Sequence, residues 1–158
     1  MYHFLVIATF VAALGAGLIA GTFFAFSAFV MAALGRLPAA QGIAAMQSIN
    51  VVVLNPAFLG VFVGTAVLGV VLLIAAFFGW PSGRAMYLAA GAVFYVAGCF
   101  LVTVIFNVPL NNALAATSPD STAGAELWKN YLSRWTLWNS VRTAASLLAS
   151  AAFILALR

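Results

Sequence analysis

Apolar residues form four long runs along this chain, and polar residues collect in the stretches between them. The runs cover residues 4–34, 56–78, 86–106 and 137–157. A helix crosses the hydrocarbon core of a bilayer with roughly 20 residues, so each run is long enough to span a membrane. The runs are apolar on all sides, as in helices that face lipid or the interior of a bundle. The pattern predicts one domain, residues 1–158, that folds as an all-α integral membrane four-helix bundle.

The connections predict which parts of the chain share a side of the membrane. Trp80-Pro81-Ser82-Gly83 is a strong turn signal between the second and third spans. The connections 35–55 and 107–136 are longer and more polar, and two spans separate them. We therefore expect both long connections on one side of the membrane, and the short turn and both termini on the other.

Both long connections also carry helical signals. Ile43, Met46 and Ile49 lie at roughly helical spacing and predict a short interfacial helix. The third span is expected to stop near Asn107-Val108-Pro109, because proline interrupts a helix. The segment from Glu126 to Tyr131 then predicts the start of a helix that runs toward the fourth span.

The composition excludes a soluble enzyme and a nucleic-acid-binding protein. Of the 158 residues, 66% are hydrophobic and 5% are charged, whereas soluble domains have about 25% charged residues. The net charge of +4 comes from six dispersed basic residues, which form no patch for a phosphate backbone. One histidine, one cysteine and two carboxylates are scattered along the chain, so we expect no metal site. Cys99 stands alone and permits no internal disulfide.

Small residues spaced four apart indicate how the helices pack. Such pairs are Gly17 and Gly21, Gly60 and Gly64, and Ser146 and Ser150. Small side chains let helix backbones approach closely inside a bilayer. The pairs fit contacts within the bundle and contacts in a homo-oligomer equally well, and the pattern leaves both open.

The rare polar side chains gather at one end of the predicted bundle. They are Gln47, Asn50, Asn55, Asn107, Asn111, Asn112, Trp135, Trp138, Asn139 and Arg142. Amides are costly in hydrocarbon unless they are hydrogen-bonded, so we expect a shared cap or the mouth of a pocket. Arg142 lies about 7 Å inside the fourth span at 1.5 Å per residue. At that depth an arginine either has a functional role or anchors the helix by extending its guanidinium to the membrane–water interface. The tryptophans fit substrate contacts or an interfacial belt.

Five motifs occur in order along the chain. They are residues 21–27 (GTFFAFS), 42–50 (GIAAMQSIN), 55–56 (NP), 107–111 (NVPLN) and 135–143 (WTLWNSVRT). Together they resemble the anthrone oxygenase family of small membrane proteins, whose bacterial members are usually filed as a domain of unknown function. The resemblance covers nearly the whole chain and implies a four-span protein of the bacterial inner (plasma) membrane. One departure concerns chemistry: Ser140 stands where the family's Trp-Asn-His-x-Arg-Thr signature commonly has histidine.

The resemblance implies an oxygenase that acts on a flat, apolar phenolic or anthrone-like molecule. An anthrone carries an acidic methylene group. Loss of a proton from it gives a delocalised anion that can react with molecular oxygen directly. We therefore expect no cofactor, with molecular oxygen as co-substrate. The expected donors to the developing oxyanion, and hence the candidate catalytic residues, are Arg142, Asn139 and Asn111. The candidate substrate-binding residues are Asn50, Asn55, Asn107, Trp135 and Trp138.

A second hypothesis is a non-catalytic membrane protein that binds a lipid-like ligand or a partner subunit. In that case the polar group would hold one end of the bundle together. The hypothesis is favoured by the lack of a convincing base, because Ser140 is a poor one and Asp120 and Glu126 lie away from the polar group in the sequence. Transport fits less well, since four spans are few and no pair of discontinuous helices stands out.

Overall fold

The computed structural model describes residues 2–78 and 82–158, and almost all of them are helical. No strand occurs in these two segments, so the all-α prediction is confirmed. Five continuous helices follow one another. We label them α1 (residues 2–34), α2 (Ala39–Val52), α3 (Pro56–Phe78), α4 (residues 82–115) and α5 (Thr122–Ala156).

Four of these helices are long and apolar enough to cross a membrane. The qualifying segments are His3–Leu34, Pro56–Phe78, Arg84–Ala115 and Thr122–Ala156. The protein is therefore an integral membrane protein. The remaining helix, α2, has 14 residues and buries Gly42, Ile43 and Met46. It packs against the beginning of α5 and the end of α4, where Trp128, Tyr131 and Leu114 share a core cluster with Ile43 and Met46.

Two helices contain π-helical segments. In such a segment the backbone N–H donates to the carbonyl five residues earlier, instead of four as in an α-helix. In α1 the segment is Phe26–Val30, between Tyr2–Ala25 and Met31–Leu34. In α4 there are two such segments, Phe94–Leu101 and Thr103–Asn107. Segments of this kind are rare and are frequent at functional sites.

The third span does not end where the sequence predicted. Helix α4 continues past Asn107-Val108-Pro109 to Ala115. Pro109 is tolerated because it stands in the first turn of the α-helical segment Val108–Ala115, directly after a π-helical segment. A proline in that position lacks an N–H that would have no regular helical acceptor in any case.

Helix α5, which contains the fourth span, begins well before the predicted start of that span at Leu137. It starts at Thr122 and contains the predicted helical segment Glu126–Tyr131. Ser121 caps it, since the hydroxyl of Ser121 accepts the backbone N–H of Gly124 at 2.9 Å. Trp80 and Pro81, which carry the predicted turn between α3 and α4, lie outside the described residues.

Helices α1 and α5 run antiparallel and pack closely along their lengths. A Cβ atom on Gly35 would lie 3.3 Å from Leu132, and one on Gly17 would lie 3.3 Å from the Ser150 hydroxyl. Between these two levels, the hydroxyls of Ser27 and Ser140 are 2.9 Å apart. The small residue Gly17 thus serves packing inside the bundle.

The glycine pair of α3 behaves differently. A Cβ atom on Gly60 or Gly64 would meet no atom within 4 Å, and the same holds for Gly21. These glycines therefore lie on open faces of their helices and do not serve contacts among the described parts of the bundle.

Candidate functional site

A cavity of about 440 Å³ lies beneath α2, between α1, α3, α4 and α5. Four phenylalanines from α1 and α3 contribute to its apolar lining: Phe23, Phe26, Phe58 and Phe62. Phe62 stacks on Phe58 and on Phe100, with ring centroids 5.8 and 5.3 Å apart. The polar part of the lining includes Gln47, Asn50, Thr103, Asn111, Asn112 and Arg142. The cavity therefore combines flat aromatic surface with a small group of hydrogen-bonding side chains.

Arg142 is buried against this cavity, with 3% of its surface exposed. Its Nη2 donates to Asn139 Oδ1 at 2.8 Å, and its Nη1 donates to Thr103 Oγ1 at 3.2 Å. Its Nε has no acceptor among the described residues. An arginine that anchors a helix at the interface would expose its head, so the anchor interpretation of Arg142 is wrong.

The charge of Arg142 is not neutralised by a carboxylate. The two acidic residues of the chain, Asp120 and Glu126, are exposed and do not line the cavity. Two aromatic rings supply part of the compensation instead: the guanidinium carbon lies 4.0 Å from the centroid of Phe23 and 5.3 Å from that of Trp135. A buried cation with unused N–H groups is a favourable place for an anionic oxygen of a ligand.

Asn139 holds Arg142 in place and does not reach the cavity itself. Its Nδ2 donates to the Phe23 carbonyl and to the Ser27 hydroxyl, both at 2.7 Å. Its Oδ1 accepts from Arg142. Both N–H groups of the amide are therefore used inside the protein. Asn139, expected as an oxyanion donor, is placed to position Arg142 instead.

Asn111 lines the cavity, as expected for a site residue. Its Oδ1 accepts from the Tyr131 hydroxyl and from the indole Nε1 of Trp135, both at 2.8 Å. Because an indole N–H can only donate, this contact determines which atom of the amide is the oxygen. The Nδ2 group of Asn111 takes part in neither of these two contacts. Asn50 also lines the cavity, with Nδ2 at 3.5 Å from the Tyr131 hydroxyl.

Three of the predicted substrate-binding residues lie outside the cavity lining. Asn55 is exposed and caps α3, where its Oδ1 accepts the Phe58 N–H at 3.0 Å. Asn107 is buried beside Trp135, whose carbonyl accepts its Nδ2 at 3.2 Å. Trp138 stacks on Phe106 with centroids 3.7 Å apart. Only Trp135, Asn50, Asn111 and Arg142 of the predicted set share the cavity.

Two residues of this site, Thr103 and Tyr131, were not predicted. Thr103 lies four residues before Asn107 and eight before Asn111 on α4, so helical spacing places it on a nearby face. Tyr131 lies one turn before Trp135 on α5 and connects Asn50 with Asn111. The periodicity of each helix could have indicated both residues once the two helices were known to extend to Ala115 and back to Thr122.

Comparison with protein families gives one match. The profile of the family described as anthrone oxygenase matches residues 55–152, which is more than half of the chain. This chain belongs to the anthrone oxygenase family. The match includes α3, α4 and most of α5, and therefore Asn111, Asn139 and Arg142. Neither the curated proteins nor the solved structures include a significant match to the chain.

The anthrone oxygenase signature is modified at Ser140, and the structure places this residue outside the cavity. The side chain of Ser140 is exposed and lines a different groove, on the outer surface between α1 and α5. Its hydroxyl donates to the Thr136 carbonyl at 2.9 Å. It reaches Arg142 only through Ser27 and Asn139. The serine therefore does not remove a group from the cavity of this anthrone oxygenase family member.

The positions of the His, Cys, Asp and Glu side chains bear on whether this family member could bind a metal ion. Across residues 2–78 and 82–158, no group of three or more His, Cys, Asp or Glu side chains lies close enough to hold a metal ion. The side chains that face the cavity supply amide, hydroxyl and guanidinium groups, which bind oxygen atoms of an organic ligand.

Proposed function

We propose that this protein is an oxygenase of the bacterial inner membrane that acts on a flat, apolar phenolic or anthrone-like substrate. It would need no cofactor, with molecular oxygen as co-substrate. Family membership supports oxygenase-like activity in general. The observation that carries the finer proposal is Arg142, a buried cation without a carboxylate partner that lines an aromatic cavity of about 440 Å³.

The substrate would lie with its rings against the aromatic lining and its oxygen toward the polar group. Phe58 and Phe62 form a stacked pair, which offers a flat surface to a fused ring system. Arg142 and the Nδ2 group of Asn111 would bind the substrate oxygen. Both groups are held by bonds to other parts of the protein, so little reorganisation is needed when charge develops.

The reaction would proceed through the anion of the substrate. Loss of one methylene proton gives an anion whose charge is shared with the oxygen of the ring carbonyl. Arg142 would stabilise the charge on that oxygen. Addition of O2 to the carbon forms a C–O bond and a peroxide. Loss of water from the protonated peroxide then gives the ketone. The overall change is one CH2 group and one O2 to one C=O group and one H2O, and no further oxidant or reductant is required.

Solvent would remove the proton. The cavity lining, within the part of the chain that the structure describes, contains no carboxylate and no histidine. By favouring the anion of the substrate, Arg142 would make water or hydroxide a sufficient base. A base from the protein is therefore not required for the proposed reaction.

Oxygen uptake by the purified protein with anthrone as substrate tests the proposal. Anthrones oxidise spontaneously, so the rate in detergent alone is subtracted. Arg142→Gln removes the cation from the cavity, and Arg134→Gln removes an exposed arginine from the same helix. We expect a protein-dependent rate that falls about 100-fold in Arg142→Gln and not in Arg134→Gln. A wild-type rate equal to that in detergent would reject the proposal for this substrate class.

The same cavity could hold a lipid-like ligand without turning it over, and family membership does not favour this alternative. The two functions differ in one measurement. A ligand that quenches Trp135 fluorescence without oxygen uptake would indicate binding alone, since Trp135 lines the cavity. Self-association also remains a proposal, and its candidate surface is the open face around Gly60 and Gly64 on α3.

A further inference from the structure

A second groove runs along the outside of the bundle, between the end of α1 and the first half of α5. It has a volume of about 600 Å³ and shares no lining residue with the cavity beneath α2. Ser140 lies in this groove. The groove therefore needs an explanation separate from that of the cavity.

The groove is polar and positively charged at one end. Arg36 lies two residues after α1, and Lys129 of α5 lines the same groove. Both side chains are exposed, and neither Asp120 nor Glu126 is among the described residues that line the groove. Two basic side chains at the end of a membrane-spanning helix form an attractive site for an anionic group.

The rest of the groove is suited to an apolar chain. From Lys129 the lining follows successive turns of α5, past Leu132 and Leu137, to Ser140. This path is about 16 Å long at 1.5 Å per residue, and it lies within the segment Thr122–Ala156 that is long and apolar enough to cross a membrane. On the α1 side, Met31 and Ala32 complete the apolar part. Leu137 is 60% exposed, so the groove is open to the surrounding lipid.

We propose that this groove binds one anionic phospholipid. Its phosphate lies between Arg36 and Lys129, and one acyl chain follows α5 past Leu132 and Leu137. A zwitterionic lipid carries its own positive charge and gains less from the two basic side chains. The bound chain ends over Ser140, whose hydroxyl contacts Ser27. The lipid therefore covers the outer side of the hydrogen-bonded chain that positions Arg142.

Native mass spectrometry of the detergent-purified protein tests this site. We expect the wild type to retain one molecule of phosphatidylglycerol in preference to phosphatidylcholine. The double variant Arg36→Gln/Lys129→Gln should bind phosphatidylglycerol about fivefold more weakly for each charge removed, hence about 25-fold in total. The control Arg134→Gln/Arg158→Gln removes the same charge from exposed positions outside the groove and should bind as the wild type does.

A second variant tests the shape of the groove with its charge intact. Ala32 is exposed and lines the apolar part, so Ala32→Phe fills the path of the acyl chain. We expect this variant to lose the retained phosphatidylglycerol while its thermal unfolding without lipid is unchanged. It decides the question even where the double charge variant does not fold.

Three results would overturn the proposal. They are equal retention of phosphatidylcholine and phosphatidylglycerol, equal losses in the groove variant and the surface-charge control, and undiminished retention in Ala32→Phe. Inorganic phosphate provides the remaining comparison. If it displaces phosphatidylglycerol at millimolar concentration, the site binds a soluble anion and the lipid assignment is wrong.

Discussion

The guanidinium of Arg142 is held by Asn139, which lies one turn earlier on the same helix, with 2.8 Å between Nη2 and Oδ1. Asn139 is held in turn by the Phe23 carbonyl and the Ser27 hydroxyl of α1. The position of the buried cation therefore depends on a contact between the first and last helices of the chain. This dependence makes Asn139 a positioning residue whose loss should affect the cavity at a distance.

Asn139→Ala should lower activity more than it lowers stability. The loss of these buried hydrogen bonds should cost about 1–3 kcal/mol of unfolding free energy. Oxygen uptake with anthrone should fall on the order of 100-fold, because Arg142 is no longer fixed. Asn55→Ala provides the matched control, since this amide caps α3 and bonds the Val52 carbonyl, outside the cavity lining. It should cost about 1 kcal/mol and leave the rate unchanged. Equal loss of rate in both variants would show that the rate follows stability.

Ser140→His should leave the rate with anthrone unchanged. The substitution restores the residue that is common in the family signature, but its side chain would enter the outer groove and not the cavity. Oxygen uptake and substrate affinity are measured beside the wild type. A clear rise in the rate would show that a group at this position reaches the substrate through Ser27 and Asn139, and would contradict the assignment of the base to solvent.

The rate should rise with pH without a plateau. If hydroxide is the base, or if the substrate ionises before oxygen adds, the protein-dependent rate should increase by up to about tenfold per pH unit below the pKa of the substrate. The rate is measured between about pH 6 and pH 8 with the spontaneous oxidation subtracted at each pH. A bell-shaped profile would indicate titrating groups of the protein in the reaction.

Gly98→Ala and Gly64→Ala should have opposite effects on stability. A Cβ atom on Gly98 would lie 2.7 Å from Ala145 Cβ, so overpacking should cost about 1–3 kcal/mol. A Cβ atom on Gly64 meets nothing within 4 Å, and alanine is the better helix former by up to about 1 kcal/mol. Thermal unfolding in detergent compares the two. Destabilisation by Gly64→Ala together with a change in oligomer mass would show that this face packs against another copy of the chain.

The sequence was a good guide to the helices because a bilayer imposes a strong and local signal. Runs of about 20 apolar residues located all four long helices. The residues at which the helices begin and end were harder to predict. Pro109 predicts the end of a span, whereas a preceding π-helical segment lets α4 continue to Ala115. Such a segment depends on packing between helices and leaves no simple mark in the sequence.

The site was predicted in part, and its local contacts were predicted better than its distant ones. Asn139 and Arg142 are three residues apart on one helix, so their proximity follows from helical geometry. The role of Asn111 depends on Tyr131 and Trp135 from another helix, which only the folded chain brings together. Asn55 was misassigned although Asn55-Pro56 is a typical start of a helix, where an amide caps and a proline follows.

The π-helical segment Thr103–Asn107 joins the two halves of α4. The half before it presents Gly91 and Gly98 to Phe153 and Ala145, and the half after it presents Asn111 to Tyr131 and Trp135. A π-helical turn holds one extra residue in about one helical turn, so deleting one residue within this segment would restore α-helical geometry and leave the phase of everything beyond it nearly unchanged. Asn111 would then keep its two donors, whereas deleting Val108 from the α-helical segment Val108–Ala115 would rotate Asn111 away from them by about 100°. A change of chain length by one residue should therefore be better tolerated within the π-helical segment than directly after it.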